Sequence, residues 1–414
     1  MRCKHAAINY LLLMLGLVLL PAPLFANSGT AIDTTAETIV FNNFSKQITL
    51  IKQHQQQYQV EGTGQQVALS NRLIVKAQKQ LTKVQFYQFH PQITQVTELF
   101  KGSKSHYFSL TLKDETLLAE VLKALQKKVG IELVQPDVLQ LKSKAETTSL
   151  ANKINPYLEL LDIQSLWQQT KGKGVKIAII DDGFNMQHPD LQHITPLFSY
   201  DAENRALSAA PHSKVDSHGT KVAGVIFAAH NSVGINGIAP EAELITLRQP
   251  DSWTSNTLLS FQVANLAGAD IINCSWHTAY LLQPIADVVN ELSQQGRDGK
   301  GIAVIFSSGN QGREITALSS EAAIAGAIVV GATGHDLIKP LAFSNYGQSV
   351  DLLAYGLPVK TTLAEGGYGR FSGTSLSAAV VAGLSALIIS QQPDIHLEQL
   401  LQTLQSITTG NRLG

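Results

Sequence analysis

Six runs of mostly apolar residues recur between residues 175 and 354: "VKIAIID" (175–181), "ELITL" (243–247), "DIINCSW" (270–276), "IAVIFSSG" (302–309), "AIVVGA" (327–332) and "SVDLLA" (349–354). Each has the length of a strand, and the apolar residues are continuous rather than alternating. A strand that is apolar on both sides has to be covered on both faces, and helix-like segments lie between several of these runs. The pattern predicts an α/β fold with a mostly parallel central sheet and helices on both faces. In such sheets ligands bind beyond the C-terminal ends of the strands. Asp181, Ser275 and Asn310 all stand at or just after such ends.

Three further segments carry chemistry: "IAIIDDG" (177–183), "DSHGTKVAG" (216–224) and "FSGTSLSAA" (371–379). Each supplies one member of an Asp, His, Ser set. A serine hydroxyl is a poor nucleophile at neutral pH and needs a base within hydrogen-bond reach. His218 is the candidate base, because imidazole titrates near working pH. Asp181 would fix its tautomer and stabilise the imidazolium. Taken singly, Asp181 reads as a strand-end carboxylate, His218 as a residue near a helix start, Asn310 as a turn and Ser375 as a helix cap. Their joint occurrence with flanking glycines favours a catalytic set. Around Ser375 the run is Gly-Thr-Ser-Leu-Ser, without the second glycine of the G-x-S-x-G elbow, which excludes an α/β-hydrolase. In "GKGVKIAIIDDG" the glycines precede the strand, which excludes a phosphate-binding loop.

In this order the three segments resemble the subtilisin-like serine proteases, the subtilase family, over residues 154–414. "HPDL" (188–191), "GIAP" (237–240), "SSGN" (307–310) and "FSNYG" (343–347) support the resemblance. It implies a serine endopeptidase acting on polypeptides, with Asn310 and the backbone N–H of Ser375 as oxyanion donors. It implies that Ser275, Trp276 and His277 form the strand that pairs with the substrate backbone, with residues 249–254 as the opposite wall. A Ca²⁺ site is implied at Asp190 and Asn231, completed by the carbonyls of Ala229, Val233 and Ile235. Several residues depart from the family pattern. Asp182 replaces a Ser or Thr; because adjacent strand residues point to opposite sides, its effect on Asp181 is expected to be modest. His277 replaces a glycine, Lys221 a histidine, and Ala379 a proline. The 39 residues after Ser375 are fewer than the resemblance leads one to expect, so the edge of the fold is trimmed or completed differently. The alternative reading is a catalytically silent relative that binds peptides in the groove.

The N-terminal part is organised differently. Arg2 and Lys4, an apolar run over residues 11–20 and "PAPLFANSG" follow the order of a secretory signal peptide, with the cut after Ala26. A secreted, periplasmic or extracellular protein is therefore expected, with no membrane span in the mature chain. Residues 27–70 read as a loose lead-in or weak outer layer, with the Gln-rich stretch "KQHQQQYQ". Residues 71–141 read as a small α+β unit with strands at 72–76, 107–112 and 131–141. A helix capped by Asp114 carries Leu118, Val121, Leu122, Leu125 and Val129 on one stripe. Residues 142–153 are a polar linker open to cleavage. The resemblance makes residues 27–150 a propeptide, acting as an intramolecular inhibitor and released by self-cleavage, and residues 151–414 the catalytic domain. The charges divide between these parts, 14 Lys and Arg against 10 Asp and Glu in residues 27–150, and 15 against 22 in residues 151–414. Opposite signs favour docking. The net charge of −1 offers no global attraction for nucleic acid, and a monomer is expected. Without Cys3 the chain keeps one thiol, Cys274, expected to be buried in the core and unable to form an internal disulfide.

Overall fold

The computed structural model describes residues 37–144 and 155–409. The expected leader and most of the linker lie outside the described residues. The first described segment folds as one antiparallel sheet with two short helices. Its elements are β1 (Thr38–Asn43), β2 (Lys46–His54), β3 (Gln57–Val60), β4 (Gln66–Ala77), α1 (Lys83–Phe89), β5 (Ile93–Lys101), β6 (His106–Leu112), α2 (Leu118–Leu125) and β7 (Ile131–Leu139). The strands lie in the order β1-β2-β3-β4-β6-β5, and β7 pairs with β4. Residues 38–60 are thus three paired strands, with a register shift in β2 between Lys52 and His54, and not a loose lead-in. In β3 the Gln residues alternate with Tyr58 and Val60, both buried. Period-two alternation decides the structure there, whatever the Gln content. Helix α2 buries Leu118, Val121, Leu122 and Leu125 as expected, but ends at Leu125, and Val129 is 92% exposed. Asp114 does cap, accepting the Thr116 N–H at 2.8 Å ahead of α2.

The second segment supplies α3 (Tyr157–Leu160), α4 (Ile163–Leu166), β8 (Lys176–Asp181), β9 (Phe198–Asp201), α5 (His218–Phe227), β10 (Glu243–Arg248), α6 (Thr254–Leu266), β11 (Ile271–Cys274), α7 (Gln283–Gln295), β12 (Ala303–Ser307), β13 (Ile328–Thr333), β14 (Leu352–Tyr355), the hairpin β15 (Val359–Thr362) and β16 (Tyr368–Phe371), α8 (Thr374–Gln391) and α9 (Leu397–Thr408). The sheet order is β14-β13-β12-β11-β8-β10-β9, and every pairing is parallel. All six apolar runs of the sequence are strands of this sheet. Helix α8 packs on β11, β12, β13 and β14 and against α5. Its residues 374–389 are buried throughout, which small side chains such as Ala378, Ala379, Ala382 and Gly383 permit. Gly383 is required by packing, because a Cβ there would lie 2.7 Å from Ile238 Cβ. Among the described residues α8 is the one helix long and apolar enough to cross a membrane, and 89% of it is buried in this core. Cys274 is a free, buried thiol, and burial pushes its pKa up.

The antiparallel sheet lies against the other face of the second segment, with β5 and β7 on α6. One apolar cluster runs from Leu73, Val75 and Leu99 into Leu258, Phe261 and Val288. Charged groups fix the register. Buried Asp137 accepts the Ser255 N–H and hydroxyl, both at 2.9 Å, at the start of α6, and Arg72 Nε at 2.7 Å. A carboxylate at a helix N-terminus is favoured by the helix dipole. On α7, Glu291 accepts backbone N–H groups of Ser103, Lys104 and Ser105, and Asp287 accepts Lys76 Nζ and the Tyr107 hydroxyl, both at 2.7 Å. The docking is thus built from buried apolar area plus acid groups of one segment satisfying donors of the other. It positions the tail that follows β7.

Candidate active site

Asp181 is the last residue of β8, paired across to Arg248 at the end of β10. His218 opens α5. Gly219 lets the helix come close, since a Cβ there would lie 2.6 Å from the Gly183 carbonyl and 3.0 Å from Asp181 Cβ. The result is a direct bond, His218 Nδ1 to Asp181 Oδ2 at 2.8 Å, with both residues buried. Asp181 Oδ1 accepts the Asp182 N–H and Lys144 Nζ, both at 2.8 Å. Burial disfavours the charged form, but the His218 and Lys144 charges hold the Asp181 carboxyl well below the usual carboxylate range.

Ser375 is the second residue of α8, directly after Gly373 and Thr374. Gly373 has φ 89°, ψ −177°, a backbone state essentially reserved for glycine, which turns the chain from β16 into the helix. Ser375 therefore stands at a helix N-terminus, where negative charge is favoured. Its hydroxyl donates to the Ser275 carbonyl at 2.8 Å, and Ser275 Oγ donates in turn to the Ser375 carbonyl at 3.0 Å. His218 Nε2 is buried and has no hydrogen-bond partner among the described residues. The imidazole thus presents a vacant nitrogen while the serine hydroxyl is turned aside. Asn310 follows β12. Its Oδ1 accepts the Thr374 N–H at 2.9 Å and the Thr374 hydroxyl at 3.2 Å. With its oxygen held there, the amide presents its N–H₂ away from Thr374, as an oxyanion donor requires. Thr374 is a residue that sequence reasoning missed.

The tail after β7 lies in the cleft. The Ser143 N–H donates to the His277 carbonyl at 2.9 Å, in an antiparallel bridge, and Gln311 Nε2 donates to Ser143 Oγ at 2.9 Å. The His277 backbone thus pairs with an extended stretch of this chain's own tail. Trp276 is buried and donates its indole N–H to the Ile180 carbonyl at 2.7 Å, and Lys142 Nζ stands 4.3 Å from its ring centroid. The opposite wall also forms: the Gln249 carbonyl accepts Lys142 Nζ at 2.5 Å, and Ser252 Oγ accepts the Gln140 N–H at 3.1 Å. Burial pushes the His277 imidazole down to about 4, so it is neutral at ordinary pH.

The side chain of Asp182 departs from strand alternation, while the groups that move the Asp181 carboxyl most are His218 and Lys144, as a modest effect of Asp182 allows. Asp182 lies one residue past the end of β8, so strand alternation no longer directs its side chain. Its carboxylate accepts the Gly219 N–H at 2.9 Å and the His218 N–H at 3.2 Å, capping α5, and lies 3.1 Å from Lys144 Nζ.

The expected Ca²⁺ ligands are only partly assembled. Asp190 is buried, and its Oδ2 accepts the Ile235 N–H at 3.0 Å, while Oδ1, on the carboxylate that faces the Tyr368 hydroxyl, makes no hydrogen bond of normal geometry among the described residues. That oxygen fits a cation. Asn231 does not fit in this arrangement, because it is exposed and its Oδ1 accepts the Val233 N–H at 2.9 Å. Elsewhere Asp201, Glu203 and His212 stand close enough to hold a metal ion. Arg248 already bridges Asp201 at 3.0 Å, Glu203 at 2.7 Å and Asp216 at 2.8 Å.

The docked tail has a pH signature. Burial and the Lys144 ammonium pull Lys142 from its usual 10.5 down to about 7. Below pH 7 it is protonated both docked and free, and docking carries the cost of burying the charge. Between about 7 and 10.5 the docked tail binds fewer protons than the free tail, so docking tightens as pH rises through that window. Lys144 shifts the other way: burial lowers its pKa, but Asp181 and Asp182 raise it more, so its contribution is lost only above its usual 10.5. The protection factor of the Ser143 amide in the Ser375→Ala protein is expected to be higher at pH 9 than at pH 6.5. Equal or lower protection at pH 9 contradicts the assignment.

The family model described as Subtilase family matches residues 172–412. Subtilisin NAT of Bacillus subtilis subsp. natto is 32% identical over 247 residues, which cover 58% of this chain and 61% of that protein. M-protease of Shouchella clausii (strain KSM-K16) is 30% identical over 282 residues, which cover 67% of this chain and 70% of that protein. The chain thus spans about three fifths of the length of subtilisin NAT. A solved structure of proteases from Pseudoalteromonas arctica PAMC 21717 aligns with TM-score 0.51 at 21% identity, covering 63% of this chain and 92% of that one. That last likeness is one of fold.

Proposed function

Because the chain belongs to the subtilase family, we propose that it is a serine endopeptidase with Asp181, His218 and Ser375 as its triad. The observation that carries this reading is the buried 2.8 Å bond between Asp181 and His218 Nδ1, with Nε2 unpartnered among the described residues, at the start of a helix that packs against the one that begins with Thr374 and Ser375. The Ser375 hydroxyl swings from the Ser275 carbonyl to His218 Nε2 when substrate binds. His218 takes the proton as Oγ attacks the peptide carbonyl. The oxyanion is met by the Asn310 N–H₂ and the Ser375 N–H. As the C–N bond breaks, His218 returns the proton to the leaving amine and an acyl-enzyme remains. Water, deprotonated by His218, releases the acid and restores the serine. The peptide lies as Ser143 does, paired with His277 and flanked by residues 249–254.

Residues 27–150 are then a propeptide on a secreted precursor, with residues 1–26 as the signal peptide. Support for inhibition in place comes from the tail itself. Ser143 holds the substrate's backbone bond, and the Lys144 ammonium occupies the Asp181 oxygen next to the imidazole. Self-cleavage within residues 142–153 would release the domain. Asp190, with the carbonyls of Ala229, Val233 and Ile235, would hold a structural Ca²⁺ that pins the loop after α5. One observation favours the silent, peptide-binding alternative: the Ser375 hydroxyl bonds to Ser275 and not to His218. Casein turnover separates the two. The self-processed protein is expected to hydrolyse casein. A processed, folded protein that binds peptides but never cleaves them would establish the alternative.

A further inference from the structure

The tail in the cleft makes two kinds of contact with side-chain consequences. Ser143 bonds to His277 through its backbone and to Gln311 through its hydroxyl. Extended residues alternate sides, so Lys144 faces the other way, and its Nζ lies 2.8 Å from Asp181 Oδ1 and 3.1 Å from Asp182 Oδ2. A substrate bound in this register would turn its following residue back to the side of Gln311 and Asn310, which makes that position the acyl donor. Lys144 therefore occupies the position just before the acyl donor.

Asp182 does not depend on Lys144 for its placement. The Gly219 and His218 N–H groups at the start of α5 hold its carboxylate. Asp181 is held by His218 Nδ1 and the Asp182 N–H. Both carboxylates are buried, at 0% and 6% exposure, and each keeps an oxygen turned to the same point. Two adjacent buried anions repel, and burying them against a neutral side chain leaves that repulsion unrelieved. A cationic side chain relieves it, and an acidic one adds a third like charge.

We propose that Asp182, with the outer oxygen of Asp181, forms a cation-binding subsite that selects lysine or arginine immediately before the acyl-donating residue. This rests on the endopeptidase reading for its role in specificity. The docking of Lys144 itself does not depend on cleavage.

The test uses the full-length Ser375→Ala chain, in which the tail stays attached. Hydrogen exchange at the Ser143 amide reports docking. Lys144→Gln is expected to lower its protection at least about tenfold, and Lys144→Arg to preserve it. Asp182→Asn is expected to lower it too, and the Lys144→Gln/Asp182→Asn double variant to lose no more than the larger single loss, since the pair is one interaction. Unchanged protection in Lys144→Gln, or fully additive losses, would overturn the subsite. Lys144→Gln leaves the α5 cap intact, so this outcome is readable even if Asp182→Asn disturbs folding. The self-processed wild-type protein then receives peptide pairs differing only in Lys or Gln at this position. A kcat/KM at least about tenfold higher for Lys supports the subsite, and equal values overturn its role in selection. Failure to cleave either peptide would remove the endopeptidase reading, while the exchange experiment still decides whether the subsite exists.

Discussion

Replacing Ser375 by alanine is expected to leave the purified full-length chain uncut within residues 142–153 and to lower casein hydrolysis at least about 10³-fold. The size follows from what the hydroxyl does. Without it no acyl-enzyme forms, and only the oxyanion donors and substrate binding remain to accelerate attack by water. The substitution removes one oxygen from a buried position where Ser275 is the partner. The Ser275 carbonyl loses a donor, but its side chain keeps the bond to the Ser375 backbone carbonyl, so the fold tolerates the change. Processing at the wild-type rate in a purified preparation would mean that another protease makes the cut.

The second large effect is at Asn310. Asn310→Ala is expected to lower kcat by about 10²–10³, or about 2.7–4 kcal/mol, with KM nearly unchanged, because the lost hydrogen bond forms only as charge builds on the carbonyl oxygen. Thr374 sharpens the expectation. Its N–H and hydroxyl both point at Asn310 Oδ1, so the amide is held with its donor free before substrate arrives. Steady-state kinetics on one peptide substrate separates kcat from KM. A rise in KM with kcat intact would show that Asn310 binds the ground state and is not an oxyanion donor.

The parts of this molecule that could be read from its sequence are those whose physics is local. The parallel strands stand out because burial on both faces demands continuous apolar runs, as in "IAVIFSSG". Strand β9, Phe198–Asp201, escaped because it lies at the sheet edge and only Asp201 is buried. In β1 to β3 the glutamines concealed an alternation that Tyr58 and Val60 carry. The proposed triad stands out in the sequence because acyl transfer needs those side chains with glycines beside them. The contacts of Lys142, Ser143 and Lys144 were not, since they bring residues into the cleft from a separate sheet, through pairings that no local pattern encodes. Asp182 stands out in the sequence, but it lies one residue beyond the end of β8, where strand alternation no longer holds. Asn231 was placed by resemblance alone, and its side chain serves its own loop instead.

The most direct test of the triad is covalent labelling of the self-processed protein with a fluorophosphonate, followed by mass mapping. One equivalent is expected on the peptide containing Ser375, with loss of labelling in His218→Ala. Casein hydrolysis with no label on Ser375, or labelling of Ser375 that is unaffected by His218→Ala, would contradict the assignment.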